Sequence, residues 1–455
     1  MKSILLFCLA VLSISTARIS SAGATVLSLK DCVSRAIEQS PELSSGRHLI
    51  EADEAYAKRT RGTTLPYFSS ELQSHIINGS PVSPWVPLGL SEPENGPSNR
   101  QANAHWAPVG LELFGVSYPL IYEGSILGLN DPPAVAMAQA NMDQQMIANV
   151  ITAQKVIFGV VTDYIYVTDY RARVLTAQKM VELATQQLEI VRAQMKLGLK
   201  LPQQVQVAEA QLAAANQARQ TGSAGESAFL DDLANRIGQN GAEMELDGTE
   251  LPLSELEPLK RFLDQVMVGH PALRTQRTKV EIARQQLRVD AANFWPTATL
   301  NTNFSSAQDL EYINGGLKHP RPTAFLSYLT VSIPLYDFGV RSAAINESKE
   351  DVLSQKDDVK ALDLQIRSEI TQAYNDIYQY AETVSQFQSN FLRDNQAALL
   401  AKAQYEVGAG DMLILTTAEL AALQDKISIQ LTELAERLKY AELQNLSGGT
   451  WHWAP

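Results

Sequence analysis

The chain has 455 residues, 45% of them hydrophobic, and 37 Lys and Arg against 50 Asp and Glu give a formal net charge of -13. Such acidity disfavours nucleic acid and anionic surfaces, and favours cations wherever the charges line a cavity. Two cysteines exclude a disulfide framework, and the six histidines (His48, His75, His105, His270, His319, His452) show neither ligand spacing nor a companion cysteine pair, which argues against a metal centre.

Residues 1–24 read as a secretory signal: Lys2 gives the charge, residues 4–12 the apolar core and Ala22-Gly23-Ala24 the small-residue cleavage site. That core falls well short of the ~20 residues a span needs. Cys8 leaves with the signal, and the mature chain is expected to start near Thr25, more acidic by the loss of Lys2 and Arg18. Cys32 lies in a helical pattern and reads as structural. No later window approaches 18 uncharged apolar residues; the richest, 156–167, is interrupted by Asp163, so no membrane-spanning helix is expected.

The remainder is a tandem repeat. Pro41 and Pro271 each open a polar helical pattern, and Pro66 and Pro296 each close one; both pairs are 230 positions apart. Beyond Pro296, Ala298, Leu300 and Phe304 alternate with Thr297, Thr299, Asn301 and Asn303, the pattern of a strand with one apolar face. Its partner carries Phe325, Leu329, Val331 and Ile333 against Tyr328, Thr330 and Ser332. The first half repeats the pair less clearly, over 67–77 and 109–118. A Pro/Gly/Asn-rich loop at 78–103, containing Trp85, separates that pair. The aromatics Tyr67, Phe68, Phe304, Phe325 and Tyr328 suit a membrane-interface belt.

Each strand pair runs into a hinge. Residues 332–339, Ser-Ile-Pro-Leu-Tyr-Asp-Phe-Gly, and residues 117–124, Ser-Tyr-Pro-Leu-Ile-Tyr-Glu-Gly, share proline, leucine, an aromatic, an acid and glycine in order. Pro119, Gly124, Pro334 and Gly339 mark the turns from strand to helix. Helical patterns of ~65 residues follow, about 100 Å long. The second has a seam at Val352, Val359, Leu362, Ile366, Ile370, Ala373, Ile377, Tyr380, Val384, Phe387 and Phe391, nearly all in steps of three and four. The first runs through Tyr164, Val167, Val181, Ala184, Leu188 and Val191, with Arg171 where an apolar residue is expected. Both end at a glycine, Gly198 or Gly408, the usual helix C-cap. A second helix of roughly 35 residues follows each, at 201–235 and 412–446.

The expected organisation is thus a signal peptide (1–24), a first repeat (25–240) with a β-hairpin at 66–118 and a helical hairpin at 130–238, and a linker (241–258). A second repeat (259–447) follows, with a β-hairpin at 296–333 and a helical hairpin at 340–446, and then a tail (448–455). Four strands do not close a barrel, whereas three such chains supply twelve, and a closed barrel leaves no edge unpaired in a membrane. The expected fold class is mixed α and β: long helical hairpins forming an α-barrel, plus four strands contributed to a trimeric twelve-stranded transmembrane β-barrel.

In its paired hairpin plan, its Ser40-Pro41-Glu42-Leu43 opening, its hinge and its Tyr-x-Val-Gly tip (Tyr405 to Gly408), the chain resembles the TolC-type outer-membrane efflux protein family over nearly its whole length. The resemblance implies a passive homotrimeric channel in the bacterial outer membrane with a large periplasmic part. It would be the exit duct of a tripartite efflux or type I secretion system, docked to a periplasmic adaptor protein and an inner-membrane pump. Independently of the resemblance, the charge balance and the lack of any ligand or catalytic constellation lead to an expectation of no cofactor, no metal, no enzymatic activity and no nucleic-acid partner. The 241–258 linker and the tail would form an equatorial collar. A periplasmic coiled-coil adaptor or scaffold is the alternative, and it does not need the strand pairs.

The resemblance also places the gate at the helical tips. Tyr405 matches a tyrosine of the closed-state lock, but the lock's basic residue falls on Gly410 and its acidic partner on Gln204. The acidic constriction positions fall on Ile414 and Thr417, so neither an ionic latch nor a carboxylate ring carries over. Asp411 and Glu419 offer charge nearby; Asp411 alternatively caps the returning helix. No catalytic constellation accompanies these residues, and Gly408-Ala409-Gly410 reads as a turn.

Overall fold

The computed structural model describes residues 25–74, 109–127, 129–239, 244–247, 256–308, 311–313, 316–318 and 323–448. The signal segment, the loop with Trp85, most of the linker and the tail with Trp451 and Trp453 lie outside these residues. In chain order the elements are β1 (Thr25–Leu27), α1 (Leu29–Gln39), α2 (Pro41–Gly62), β2 (Tyr67–Ser74), β3 (Val109–Tyr122), β4 (Ser125–Ile126), α3 (Pro133–Lys196) and α4 (Pro202–Arg236). Then come β5 (Met244–Leu246), α5 (Leu259–Gly269), α6 (Pro271–Ala292), β6 (Thr297–Gln308), β7 (Glu311–Ile313), β8 (Gly316–Lys318), β9 (Thr323–Ser332), α7 (Val340–Glu406) and α8 (Met412–Leu446).

The chain divides into two compact units. One comprises Met1–Ser45, Asn149–Pro271 and Asp363–Pro455, the other Gly46–Ala148 and Ala272–Leu362. In the first, α1 is held by a capping box: Ser28 Oγ accepts from the Asp31 N–H, and Asp31 Oδ2 accepts from the Ser28 N–H. Cys32, Val33 and Ala36 of α1 are buried with Val160, Val161, Tyr164 and Val167 of α3 and Leu233 of α4. Cys32 is therefore structural, as its helical pattern suggested, and burial pushes its thiol up to about 11. The linker holds a strand that sequence patterning did not show: β5 pairs in parallel with β1, Val26 opposite Glu245. The Tyr164 hydroxyl donates to Asp247 Oδ1 at 2.5 Å just past β5. Three residues are too short for an alternation signal, and the partner lies more than 200 positions away.

α3 does contain an 18-residue stretch apolar enough, by length and composition, to cross a membrane, with mean hydropathy 1.3. No such stretch was expected, because Asp163 interrupts the run. The helix tolerates that charge through Arg236 of α4, whose Nε donates to Asp163 Oδ2 at 2.6 Å, while Val160, Val161 and Tyr164 enter the core. Likewise Arg171, the charge in the apolar seam, donates to Glu226 of α4 at 3.0 Å. Close helix contact also explains two mid-helix glycines. A Cβ on Gly225 would stand 2.5 Å from the Tyr170 ring, and one on Gly222 2.9 Å from Val174. The α7 seam is as predicted, with Ile366, Ile370, Ala373, Ile377 and Val384 buried.

In the second unit the strands form one antiparallel sheet in the order β2, β3, β6, β9. Its register puts Leu300 opposite Leu329 and Phe304 opposite Phe325, so the apolar sets read from the two strands of the second half meet on one face. β7 and β8 form a small separate hairpin.

Candidate functional site

The two helical hairpins turn by the same device. Gly198, at φ +71°, donates to Met195 O and the next N–H to Gln194 O; Gly408, at φ +75°, donates to Tyr405 O and the next N–H to Gln404 O. Each pair of bonds is a Schellman motif that uses glycine's freedom at positive φ. The returning helices are capped differently. Asp411 Oδ1 accepts from the Leu413 N–H at 3.0 Å, which is the capping role. Gln204 Oε1 accepts from the Leu201 N–H at 3.2 Å. A Cβ on Gly410 would stand 2.8 Å from Tyr405 N and 2.9 Å from Gln404 C. A basic side chain there would push against the backbone of the last turn of α7, so the turn itself excludes the charge that the family pattern supplies at this position.

Around the tips, Leu197, Leu199 and Leu201 are largely exposed, as are Val407 and Ile414, and Tyr405 is half-exposed. Thr417 is engaged. Its hydroxyl donates to Leu413 O at 2.7 Å and accepts from Nε2 of Gln187 on α3 at 3.2 Å. Gln187 is only 6% exposed, and its Oε1 is buried without a partner. Next to this contact runs a groove of about 440 Å³ lined by Asp394 and Ala397 of α7 and Leu413, Ile414, Thr417 and Ala418 of α8. Asp394 pairs with Arg393 at 2.8 Å, a bond that holds its carboxyl below the usual range. Across the hairpin Asp425 faces it. Burial, then the Asp394 carboxylate, push the Asp425 carboxyl upward.

Sequence reasoning found the tip turns and Thr417 but missed Gln187, Asp394 and Asp425. An antiparallel hairpin about Gly408 does bring the two aspartates to one level, and that symmetry was the available signal. Gln187 gives none, because its partner lies 230 positions away.

The two hinges share a backbone motif and then diverge. In the second, Phe338 and Gly339 take φ of +56° and +90°. Asp337 accepts from the N–H groups of Gly339 and Arg341 and from Arg341 Nε at 2.6 Å, capping α7. In the first, Glu123 and Gly124 take φ of +48° and +76°, and Glu123 Oε2 accepts from the Ala134 N–H at 3.2 Å in the first turn of α3. Each acid thus caps the long helix that follows. Pro119, however, does not end its strand. β3 continues to Tyr122 across a register shift between Pro119 and Ile121, and the Glu123-Gly124 turn leads into β4. A proline's missing N–H is tolerated at such an irregularity. Pro334 lies just past β9, where the strand was expected to end.

The sheet is two-faced. Through the register Phe68, Val116, Tyr118, Leu300, Phe304, Phe325, Leu329 and Val331 share one face, while Ser117, Thr299, Asn301, Asn303 and Thr330 share the other. Phe325 and Leu329 are 72% and 56% exposed. Among the described residues β2 and β9 each pair along one edge only. Of the five aromatics expected to form a belt, Tyr67 and Tyr328 fall on the polar face, opposite Ser117 and Asn301, so the five do not share one surface. Among the described residues, no group of three or more His, Cys, Asp or Glu side chains is placed to hold a metal ion.

Residues 262–449 match the family model described as outer membrane efflux protein. No curated protein matches the sequence. The fold matches that of the outer-membrane channel OprN, at 16% identity and TM-score 0.74 over 93% of this chain and 90% of that one. The outer membrane protein VceC of Vibrio cholerae matches at 15% and 0.70 over 92% and 96%. The open state of the Neisseria gonorrhoeae MtrE outer membrane channel matches at 15% and 0.71 over 92% and 89%. The second half of the chain thus matches the outer membrane efflux protein family, and over more than nine-tenths of its length the chain has the fold of these outer-membrane channels.

Proposed function

We propose that three copies of the chain close into a passive duct, with a twelve-stranded β-barrel in the outer membrane and the helical hairpins in the periplasm. The duct receives substrate from an inner-membrane pump through a periplasmic adaptor, in efflux or type I secretion. The observation that carries this reading is the sheet. Its apolar face is exposed, its other face is rich in hydroxyls and amides, and its two edge strands lack a partner among the described residues. In a bilayer such a sheet must close, because unpaired backbone groups are too costly in lipid. β9 runs antiparallel to β6 and β2 antiparallel to β3. Joining β9 of one copy to β2 of the next therefore continues the alternation without a break. The outward apolar face meets lipid and the polar face lines the lumen. A periplasmic scaffold has no use for such a sheet.

The gate in this reading is at the tips, where Tyr405, Ile414 and the Gln187–Thr417 contact take the place of charged latches. The test is photo-crosslinking in intact cells from positions Lys200 and Ala409, which flank the two tip turns, with captured partners identified by mass spectrometry. Capture of an adaptor that belongs to an inner-membrane pump is the expected outcome. An outer-membrane trimer that captures no envelope protein from either position overturns docking at the tip.

A further inference from the structure

The duplication places one kind of joint in the chain twice. Ser40, between α1 and α2, and His270, between α5 and α6, are 230 positions apart. Gly238 and Gly448, just past the ends of α4 and α8, are 210 apart, the spacing of the tip glycines. In the first joint the end of α4 meets the α1–α2 turn: a Cβ on Gly238, at φ +65°, would collide with the Gln39 side chain. In the second the end of α8 meets the α5–α6 turn, where a Cβ on Gly448, at φ +106°, would stand 4.0 Å from His270 Cα. The joints are alike in plan and differ in chemistry, with serine in one and a titratable ring in the other.

The last turn of a helix has carbonyls that its own backbone does not satisfy, and those of residues 443–446 each find a donor. Leu443 O accepts from the Ser447 N–H at 2.9 Å, Asn445 O from the Gly448 N–H at 3.3 Å, and Gln444 O from Ser447 Oγ at 2.9 Å. Leu446 O accepts from the His270 ring. Gln154 Nε2 of α3 then donates to Gly448 O at 2.8 Å. Ala441, Leu443, Gln444 and Ser447 are buried, so a carbonyl that loses its donor here regains one from water only if the turn opens.

His270 is itself partly buried. α7 places Glu369 where its charge acts on the ring, α8 presents the Leu446 carbonyl, and α3 brings the neutral Gln154 amide to the same helix end. Carboxylate and carbonyl both favour an imidazolium, but burial outweighs them and holds the ring below its ordinary value of 6.5. The neutral ring's contribution is therefore complete above pH ~6.5 and is lost as pH falls through the lowered value.

We infer that His270 is a pH-operated catch on α8: the neutral ring fastens the last turn of α8 to the α5–α6 joint, and its protonation releases that turn. Release comes from the charged ring moving into water, where it is solvated, and taking its N–H away from Leu446 O. Serine at position 40 leaves the first joint without such a device.

The test is hydrogen–deuterium exchange of the full chain in detergent between pH ~7.5 and pH ~5, read by mass spectrometry, with each rate divided by the intrinsic amide rate at that pH. Exchange in residues 443–448 is expected to rise below pH ~6.5, by up to about tenfold per pH unit because opening takes up one proton. The equivalent end of α4, residues 233–238, is expected to stay constant. H270S, which installs the residue of the first joint, should remove the rise. E369Q covers poor folding of that variant: without the carboxylate the ring takes its proton later, so the rise should begin at lower pH. An end of α8 that exchanges alike at both pH values overturns the catch. So does an H270S protein that keeps the rise, a rise shared equally by residues 233–238, or an E369Q protein whose rise begins at the same or a higher pH.

Discussion

Replacing Thr417 by valine removes one hydroxyl and leaves the shape of the side chain nearly unchanged. In the native protein that hydroxyl donates to Leu413 O and accepts from Gln187 Nε2. Gln187 is 6% exposed and its Oε1 is already without a partner, so the valine leaves both polar atoms of a buried amide unsatisfied. A buried donor stripped of its acceptor costs about 1–3 kcal/mol. If the α3–α8 contact separates as the tip opens, that cost falls on the closed state alone and multiplies the open-to-closed ratio by roughly 5–150. Single-channel recording in planar bilayers reads this as increased open probability. Q187L should behave oppositely, because it removes the amide and its orphaned oxygen together; closed-state stability is expected to be unchanged or greater. The double variant Q187L/T417V, with nothing left unsatisfied, should return close to wild type. A double variant as open as T417V, or Q187L opening as strongly as T417V, refutes the reasoning and removes this contact from the gate.

Four further expectations concern the same regions. G198A and G408A should each destabilise their hairpin by about 1 kcal/mol, because both glycines sit at positive φ and a Cβ on either would have no neighbour within 4 Å, so the cost is purely backbone; thermal melts followed by circular dichroism measure it, and asparagine should be milder. Cys32, with its thiol raised by burial to about 11, should resist maleimide at pH 7 until the protein is denatured. The Asp337 carboxyl is held low by Arg341 Nε and by backbone N–H groups, so its cap on α7 is intact above pH ~4 and is lost as pH falls through its lowered value; pepsin should cut the 333–339 hinge increasingly over that range, and D337N should abolish the dependence. Asp425 has the opposite sign. With its carboxyl raised, its contribution is present below pH ~4 and is lost as pH rises through the raised value, so D425N should increase the melting temperature of the hairpin at pH 7.

What the sequence disclosed and what it concealed divide along physical lines. Duplication, strand alternation and the glycine turns are local or periodic, and α8 spans residues 412–446 as its pattern predicted. The alternation also fixed the faces of β6 and β9, since a one-residue slip would have exchanged every side chain. The Pro119 hinge misled because proline usually closes a strand, whereas a register irregularity lets β3 continue to Tyr122. β5 was invisible because its parallel pairing with β1 is set by tertiary packing over three residues. At the tips the family pattern directed attention to charges, and Gly410 shows why one of them is missing: the backbone passes too close for any Cβ.

The deeper limit lies in the long helices. A single apolar seam in α7 is legible from steps of three and four, but Leu364, Tyr378, Leu392 and Leu399 keep heptad spacing on another face of the same helix. Periodicity alone does not say which stripe meets α8 and which meets something else; burial does. Ile366, Ile370 and Ile377 are buried, whereas the second set is more than half exposed. A helix with two stripes offers faces to two neighbours, and among the described residues the second face is uncovered. Among the described residues the sheet likewise leaves one face exposed and two edges unpaired. Both deficits occur in a protein whose interior satisfies even Asp163 and Arg171 with specific partners. They are therefore not loose packing. In the proposed reading they are the surfaces that copies of the chain would close into a duct.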